Sequence, residues 1–353
     1  MRLTSRERVL AAFAHEEPDR VPVWCGASDE FWAKAKRELG LDDEGLRLRF
    51  RVDFRRVFPE YAGPEFPLSE GATYRTEFGV ERAGMGYGQP LSHPLENAAL
   101  DDIHDYPWPD PAWEDVSKIK AEAEGYQGEY GILGGAWSPF WHDAIDLFGM
   151  ESLCLKMYSE PELVDALLRH LVDYYAAVSQ RIFNAAADAI DIFFMGNDFG
   201  GQHGPLLSPE LFDRFMAPHL RRLAGVGHAY GLKVQLHCCG GFAPLIPAMI
   251  DAGIDGLHAI QPNCHGMDLQ ALKSEFGGKV LFSGGIDSHH VLINGTPGTV
   301  RQKTRETLEI MMPGGGYVGG ASHDTILEET PVENVVAMFD ALHEFGAQVE
   351  IDS

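Results

Sequence analysis

The chain has 353 residues, of which 45% are hydrophobic and 23% charged, a composition typical of a globular protein with a full core. Acidic side chains number 53 against 28 Lys and Arg, and the formal net charge of -25 argues against binding to nucleic acid or to anionic lipid. Apolar runs stay well short of the about 20 residues of a membrane span, and five cysteines do not form a disulfide framework.

The first predicted element is a charged helix that begins near Thr4. Thr4 and Glu7 have the spacing of a capping box, in which the hydroxyl and the carboxylate satisfy each other's backbone amides. This N-terminal segment lacks the apolar centre of a signal peptide, so we expect a protein of the reducing cytoplasm.

Short apolar runs then alternate with amphipathic stretches along the chain, the pattern of an α/β protein with a mostly parallel sheet. Eight runs qualify as strands, the number that closes a (β/α)8 (TIM) barrel. They are 20–25, 51–58, 130–136, 189–195, 233–238, 256–261, 280–284 and 317–320. We find no linker, repeat or low-complexity tract, so we expect a single domain over residues 1–353.

Two places depart from the regular alternation. Residues 74–95 predict a hairpin or long loop inserted into the barrel, and such insertions often cover a binding site. Pro218 lies inside the helix that should start near Pro209, and it predicts a kink or a division of that helix.

The most informative run is 233–240, an alternation of apolar and polar residues that ends in two soft metal ligands. Because side chains two apart on a strand share a face, His237 and Cys239 point the same way as Gln235. Cys238 points the opposite way and is expected to be structural. An imidazole and a thiol on one face, at the carboxyl end of a barrel strand, predict zinc binding.

A zinc site needs at least one more protein ligand. His323 follows the last predicted strand, at the same face of the barrel, and is our predicted third ligand. Cys264 and His265, in the loop after the sixth strand, form a rival pair.

Further polar and aromatic residues stand at the carboxyl ends of other strands. Asp198 could carry a proton, complete the metal shell, or simply accept hydrogen bonds from nearby backbone amides. The predicted substrate-binding residues are Trp24, Trp137, Asn197, Gln202, Gln261 and Asp287. A phosphate-binding Gly-rich loop follows a strand and precedes a helix, and neither Gly-rich run of this chain has that context. The two runs therefore do not predict a nucleotide site.

Several ordered motifs resemble those of the uroporphyrinogen decarboxylase superfamily over nearly the full length of the chain. They are residues 17–23 (EPDRVPV), 204–210 (GPLLSPE), 237–240 (HCCG), 261–262 (QP), 266–268 (GMD), 284–287 (GGID), 314–317 (GGGY) and 330–334 (TPVEN). The resemblance implies a (β/α)8 barrel whose site lies at the carboxyl ends of the strands.

Two chemistries are known in this superfamily. True decarboxylases carry an arginine-rich signature after the first strand, where this chain has Trp24 to Glu30 with acids and no arginine. That difference and the net charge argue against a substrate with many carboxylates. The resemblance therefore implies the other branch, in which zinc enzymes transfer a methyl group between a small thiol, alcohol or methyl ether and a corrinoid carried on a partner protein.

The zinc ligands of that branch are a His-x-Cys pair, matched by His237 and Cys239, and a later Cys. Here Ser322 and His323 stand at the later position. Two imidazoles and one thiolate would leave zinc a net positive charge, which favours polarising an oxygen in an ether or alcohol. The alternatives are a decarboxylase or other lyase that acts on a smaller carboxylate, and a silent relative that only binds. The sequence leaves the oligomeric state open.

Overall fold

The structure, a computed structural model, describes residues 3–84 and 88–347. Its strands, in chain order, are β1 (Phe54–Arg56), β2 (Glu60–Tyr61), β3 (Tyr74–Arg75), β4 (Glu81–Ala83), β5 (Gln89–Pro90), β6 (Glu114–Asp115), β7 (Gly131–Gly134), β8 (Ile192–Gly196), β9 (Gly200–Gly201), β10 (Gly204–Pro205), β11 (Lys233–His237), β12 (Gly256–Ile260), β13 (Leu281–Ile286) and β14 (Tyr317–Ala321).

The helices surround these strands and fill the connections between them. They are α1 (Ser5–Phe13), α2 (Asp29–Leu39), α3 (Asp43–Phe50), α4 (Leu100–Asp105), α5 (Ile119–Tyr126), α6 (Phe140–Phe148), α7 (Met150–Ser159), α8 (Pro161–Ala186), α9 (Pro209–Phe215), α10 (Ala217–Ala229), α11 (Ile246–Asp251), α12 (Leu269–Phe276), α13 (Pro297–Met311) and α14 (Val332–Phe345). Short 3-10 turns occur at Pro111–Trp113, Ala187–Ala189 and Ala243–Leu245, and a π-helical turn at Ser288–Ile293.

The central sheet is parallel, with the strand order β1-β7-β8-β11-β12-β13-β14. Seven of the eight predicted strands are present, although several are shorter than the apolar runs that predicted them. The curled sheet and its surrounding helices confirm the predicted α/β architecture of the (β/α)8 barrel type.

The predicted strand at 20–25 is wrong. Pro22 has no backbone N–H to donate, which prevents a regular ladder at this position. The segment still bridges the two edges of the sheet. Gly319 N donates to Pro22 O at 2.9 Å, Trp24 N donates to Gly319 O at 3.0 Å, and Asp53 N donates to Val23 O at 3.0 Å. An irregular segment therefore closes the barrel between β14 and β1.

Helix α1 covers the amino-terminal end of the barrel. Its apolar face, formed by Val9, Ala12 and Phe13, packs into an inner cluster with side chains from the strands. The strand residues of this cluster are Phe54, Leu133, Ile192, Phe194, Leu281 and Val318. The predicted capping box at its start is present, with Glu7 N donating to the Thr4 hydroxyl at 3.1 Å and Thr4 N to the Glu7 carboxylate at 2.8 Å. Because α1 covers the amino-terminal ends of the strands, a binding site is expected at their carboxyl ends.

The predicted insertion at 74–95 is a small antiparallel sheet formed by β3, β4 and β5. Residues 85–87, within the Gly-rich turn, lie outside the described part of the chain. The helix predicted to break near Pro218 is divided into α9 and α10 at Met216.

No helix in the described ranges is both long enough and apolar enough to cross a bilayer.

A buried carboxylate links the closing segment to β1 and α1. Asp53 has no exposed surface and accepts hydrogen bonds from Arg8 Nη1 at 2.9 Å, from Arg20 Nη1 at 2.7 Å and Nη2 at 2.8 Å, and from Val23 N at 2.8 Å. The four bonds hold three chain segments together at the place where the barrel closes.

Replacing this carboxylate should destabilise the fold strongly. We expect Asp53→Ala to lower the free energy of unfolding by about 3–5 kcal/mol, because it leaves two guanidinium groups without their buried partner. Urea unfolding measures the change. The matched control is Asp340→Ala, which removes an exposed ion pair with Arg49 and should cost less than about 1 kcal/mol. Equal costs for the two variants would contradict the role of Asp53.

Candidate metal centre at the carboxyl ends of the strands

Three potential metal ligands meet at the carboxyl ends of β8 and β11. His237 is the last residue of β11, Cys239 follows two residues later, and Asp198 follows β8. Cys239 Sγ lies 3.3 Å from His237 Nε2, and His237 Nε2 lies 3.4 Å from Asp198 Oδ1. All three donor atoms lie within 4.8 Å of one another. His237 and Cys239 lie on one face, where strand alternation places them, whereas Cys238 Sγ accepts from Phe199 N and is fully buried.

The loops that carry these residues approach one another at two glycines. Gly240 has a φ of +86°, and a Cβ there would lie 2.3 Å from the carbonyl carbon of Gly200. A side chain at Gly200 would in turn meet the Cys239 carbonyl oxygen at 2.7 Å. Only residues without a Cβ allow the two backbones to pack this closely, which brings Cys239 next to Asp198.

Hydrogen bonds fix the loop after β11 in place. Cys239 N donates to Asp198 Oδ1 at 2.7 Å, and Gly240 N donates to Gln261 Oε1 at 2.8 Å. Asp198 therefore does accept a bond from a neighbouring backbone amide, one of the roles that the sequence allowed. Its second oxygen, Oδ2, lies 3.4 Å from His142 Nε2.

The three donors influence one another's protonation. Burial acts to raise the pKa of Asp198, but hydrogen bonds from His142 and His237 outweigh it and hold that pKa well below the usual range. Burial acts to lower the pKa of His237, and the bond to Asp198 reverses this and raises it. Burial and the charge of Asp198 together raise the pKa of the Cys239 thiol well above its ordinary value. A divalent cation between these groups would favour the thiolate instead.

A second set of potential ligands lies behind His237, towards the inside of the barrel. His237 Nδ1 is 3.1 Å from His258 Nδ1, which is 3.8 Å from Asp324 Oδ1. These three residues also have ligand atoms within 4.8 Å of one another. Burial lowers the pKa of His258 to about 3, so its ring is neutral at physiological pH.

The predicted third ligand and its rival lie near the donors but outside these two groups. His323 follows β14, and its Nδ1 is 2.8 Å from Thr325 O and 3.1 Å from Thr325 N. Cys264 Sγ is 3.5 Å from Gln261 Oε1, and neither Cys264 nor His265 belongs to a group of close donor atoms in the described ranges. The residue that the fold brings next to His237 and Cys239 is Asp198.

Two cavities open at this end of the barrel. The first, of 740 Å³, is lined by Asp198, His237 and Cys239 and also by Trp137 and His142. The second, of 750 Å³, lies over the loops after β12 and β13. His323 and Thr325 line both cavities, so these two residues stand at the boundary between them.

The predicted substrate-binding residues are spread over four locations. Trp137 lines the first cavity, with its ring 5.4 Å from that of His237, whereas Gln202, Gln261 and Asp287 line the second. Trp24 packs inside the barrel against His258, with ring centroids 5.4 Å apart. Asn197 is fully buried and binds backbone, accepting from Trp141 N and donating to Ser138 O, each at 2.9 Å.

Sequence reasoning did not select His142, His258 or Asp324. His258 lies on the predicted strand 256–261, so its position on a strand was a signal that the sequence offered. The structure adds that it pairs in register with His237 on the neighbouring strand. Asp324 directly follows His323 and could have been tested as a ligand on the same grounds. His142 enters the site from α6, and no spacing in the sequence connects it to Asp198.

Comparison with known proteins assigns the chain to a protein family. Residues 90–345 match the model of the family described as uroporphyrinogen decarboxylase (URO-D). The chain belongs to this family. Among curated proteins it is 26% identical over 372 residues to a uroporphyrinogen decarboxylase of Alkalilimnicola ehrlichii, covering 98% of this chain and 96% of that protein.

Relatives with a second activity are as similar. A methylated-thiol–coenzyme M methyltransferase of Methanosarcina mazei is 25% identical over 382 residues, covering 98% of this chain and 95% of the relative. A solved methyltransferase structure from Methanosarcina mazei superposes with a TM-score of 0.68 at 22% identity, covering 97% of this chain and 99% of that one. It confirms the fold, and the two relatives named above are enzymes with different activities.

The close packing at Gly240 gives a direct test of the local geometry of this family member. We expect Gly240→Ala to lower the free energy of unfolding by about 1–3 kcal/mol, because residue 240 has a left-handed φ and a Cβ there would clash with the backbone of Gly200. Thermal unfolding and native thiol titration measure stability and the exposure of Cys239. Gly278→Ala is the control, since a Cβ at Gly278 meets nothing within 4 Å. Similar melting temperatures for the two variants would refute the tight packing.

Proposed function

We propose that this protein is a zinc-dependent methyltransferase that moves a methyl group between a small thiol, alcohol or methyl ether and a corrinoid carried on a partner protein. The observation that carries the proposal is the meeting of Asp198, His237 and Cys239 at the carboxyl ends of the strands. The similarity to a methylated-thiol–coenzyme M methyltransferase supports the reaction class. The corrinoid partner comes from the family resemblance.

The donor set fits zinc. Catalytic zinc sites use three protein ligands drawn from His, Cys and Asp or Glu, and keep one position for the substrate. His237, Cys239 and Asp198 supply one ligand of each kind, and all three line a cavity large enough for a small molecule. When bound, the metal would supply a Lewis acid that lowers the pKa of a thiol or hydroxyl and polarises a bound oxygen.

The choice of third ligand changes the charge argument made from sequence. With His323, the protein ligands would carry one negative charge, whereas Asp198 and Cys239 together carry two. The proposed centre is then neutral with zinc, as it would be with the two thiolates of the His-Cys-Cys set. The sequence-based preference for an ether or alcohol therefore loses its electrostatic basis, and a thiol substrate is favoured at least as well.

The surrounding residues of the chain have separate tasks in this proposal. Asp198 is held ionised by its two histidine neighbours, so it serves better as a ligand than as a proton donor. His142 lines the cavity and donates from Nε2 to Asp198, which helps to hold that carboxylate ionised and in place. The ring of Trp137 provides a flat wall beside His237.

Metal content is the first measurement. We expect about one zinc per chain in protein purified under reducing conditions, and loss of zinc in Cys239→Ala and in Asp198→Ala. His323→Ala should keep its zinc, because its ring lies outside the donor group. Cys264→Ala is the matched thiol control and should also keep its zinc.

Two outcomes of that experiment would count against the site. Zinc that remains in Cys239→Ala but leaves Cys264→Ala would move the centre to the rival pair. Wild-type protein that takes up no zinc, even after reconstitution with a reductant, would remove the proposed metal chemistry.

The reaction is tested with methylcobalamin and ethanethiol. The sulfur takes the methyl group, cob(I)alamin departs with the electron pair of the cobalt–carbon bond, and the thiol proton is released. We expect zinc-loaded wild type to convert the methylcobalamin spectrum to that of cob(I)alamin, and Cys239→Ala to lose at least about 100-fold in rate. A second assay runs cob(I)alamin with 2-methoxyphenol or methanol. Absence of turnover in both, by protein that holds zinc, would contradict the proposal.

A further inference from the structure

The cavity that reaches the metal donors has a second polar wall. This wall is formed by the loop between β3 and β4 and by the first turn of α6, which carry Glu77 and Asp143 respectively. Asp143 is only 9% exposed, and it directly follows His142, the residue that bonds Asp198. The two carboxyl groups therefore share one cavity with the proposed zinc ligands.

Neither carboxyl group is paired with a positively charged side chain in the described residues. Tyr175 OH donates to Asp143 Oδ2 at 2.6 Å, and no described residue forms a hydrogen bond to Asp143 Oδ1. Glu77 bonds its own backbone amide, and within residues 3–84 and 88–347 neither Glu77 nor Asp143 takes part in an ion pair. Asp143 is thus a nine-tenths buried carboxyl group with one unpartnered oxygen at the cavity wall.

The cations on the same wall are engaged elsewhere. Arg82 is ion-paired with Asp146 and also donates to Gly88 O at 3.0 Å. Arg75 is exposed, and its guanidinium carbon lies 4.9 Å from the centre of the Phe66 ring. Burial raises the pKa of Glu77 and, more strongly, that of Asp143, and each is raised further by a neighbouring acid. The charge of Arg82 lowers the pKa of Asp143, but burial and the charge of Glu77 outweigh it. In the described ranges neither arginine forms an ion pair with Glu77 or Asp143, so a cationic ligand could supply that partner and favour the ionised carboxylates.

We propose that the substrate carries a positively charged nitrogen, an ammonium or quaternary ammonium group, which binds against Glu77 and Asp143. The rings of Tyr74 and Tyr175 line the same cavity and add aromatic surface of the kind that recognises such cations. The net charge of -25 attracts a cation and repels an anion. The other end of the substrate, which gives or accepts the methyl group, then reaches the proposed metal donors. Only this last point rests on the proposed function.

Isothermal titration calorimetry with a charged and a neutral probe of the same shape tests the cation site. The probes are choline and 3,3-dimethylbutan-1-ol, titrated into purified wild-type protein in a phosphate buffer free of amines. We expect choline to bind at least about tenfold more tightly than its neutral isostere, a difference of about 1.4 kcal/mol, because only choline has a positive charge to place beside the two carboxylates. Equal binding, or tighter binding of the neutral probe, would overturn the proposal.

Isosteric variants then locate the site. Asp143→Asn and Glu77→Gln should each weaken choline binding about tenfold or more and leave the weak binding of the neutral probe unchanged. Glu70→Gln is the matched control, since Glu70 is an exposed acid that does not line the cavity. Circular dichroism and zinc content verify that the variants fold. Choline binding that is unchanged in both cavity variants would refute the assignment to these residues.

The result is separable from the test of the methyltransferase. Choline binding is measured in the absence of corrinoid and methyl acceptor, with zinc-loaded and with chelator-treated protein. Binding in both forms, without methyl transfer, would retain the cation site and reject the proposed reaction. Methyl transfer to ethanethiol by protein that does not distinguish choline from its isostere would reject only the cation site. Tighter binding of acetate than of choline would identify the two groups as neutral acids that bind a carboxylate.

Discussion

The barrel depends on one buried carboxylate. Asp53 binds Arg8, Arg20 and the backbone of Val23, and these bonds join α1, the closing segment and β1. Because Pro22 prevents a regular strand here, side-chain bonds supplement the sparse backbone pairing that would otherwise leave the sheet open between β14 and β1. The closure brings β14 next to β1, and the cavity at the carboxyl ends of the strands is lined by loops from around the barrel, including the one after β14.

The metal centre depends in turn on how closely two loops can pack. Gly200 and Gly240 let the backbones after β8 and β11 come together, and the Cys239 amide then bonds Asp198. This contact makes Asp198 a neighbour of His237 and Cys239, and it changes the proposed zinc centre from a net positive to a neutral one. A single hydrogen bond between loops thereby affects which substrates the centre would activate.

Electrostatics divides the first cavity into two parts. At one end, histidines hold Asp198 ionised beside a thiol whose pKa is raised, an arrangement that a divalent cation would stabilise. At the other, Glu77 and Asp143 form no ion pair with a described residue, and burial raises the pKa of each. A substrate with a positive nitrogen and a sulfur or oxygen would complement both parts, which links the proposed chemistry to the choice of substrate.

The sequence by itself determined the barrel architecture, most strand positions and the pairing of His237 with Cys239, because these follow from periodicities of two and 3.6 residues that act locally along the chain. It also determined the family resemblance, which the match over residues 90–345 confirmed. Only the tertiary structure decided that 20–25 closes the barrel without being a strand, and that Asp198, which His142 bonds in turn, adjoins the His-Cys pair. The same holds for the meeting of Glu77 with Asp143 in one cavity. These contacts join residues far apart in sequence, and they depend on loop backbones and side-chain packing that no local periodicity encodes.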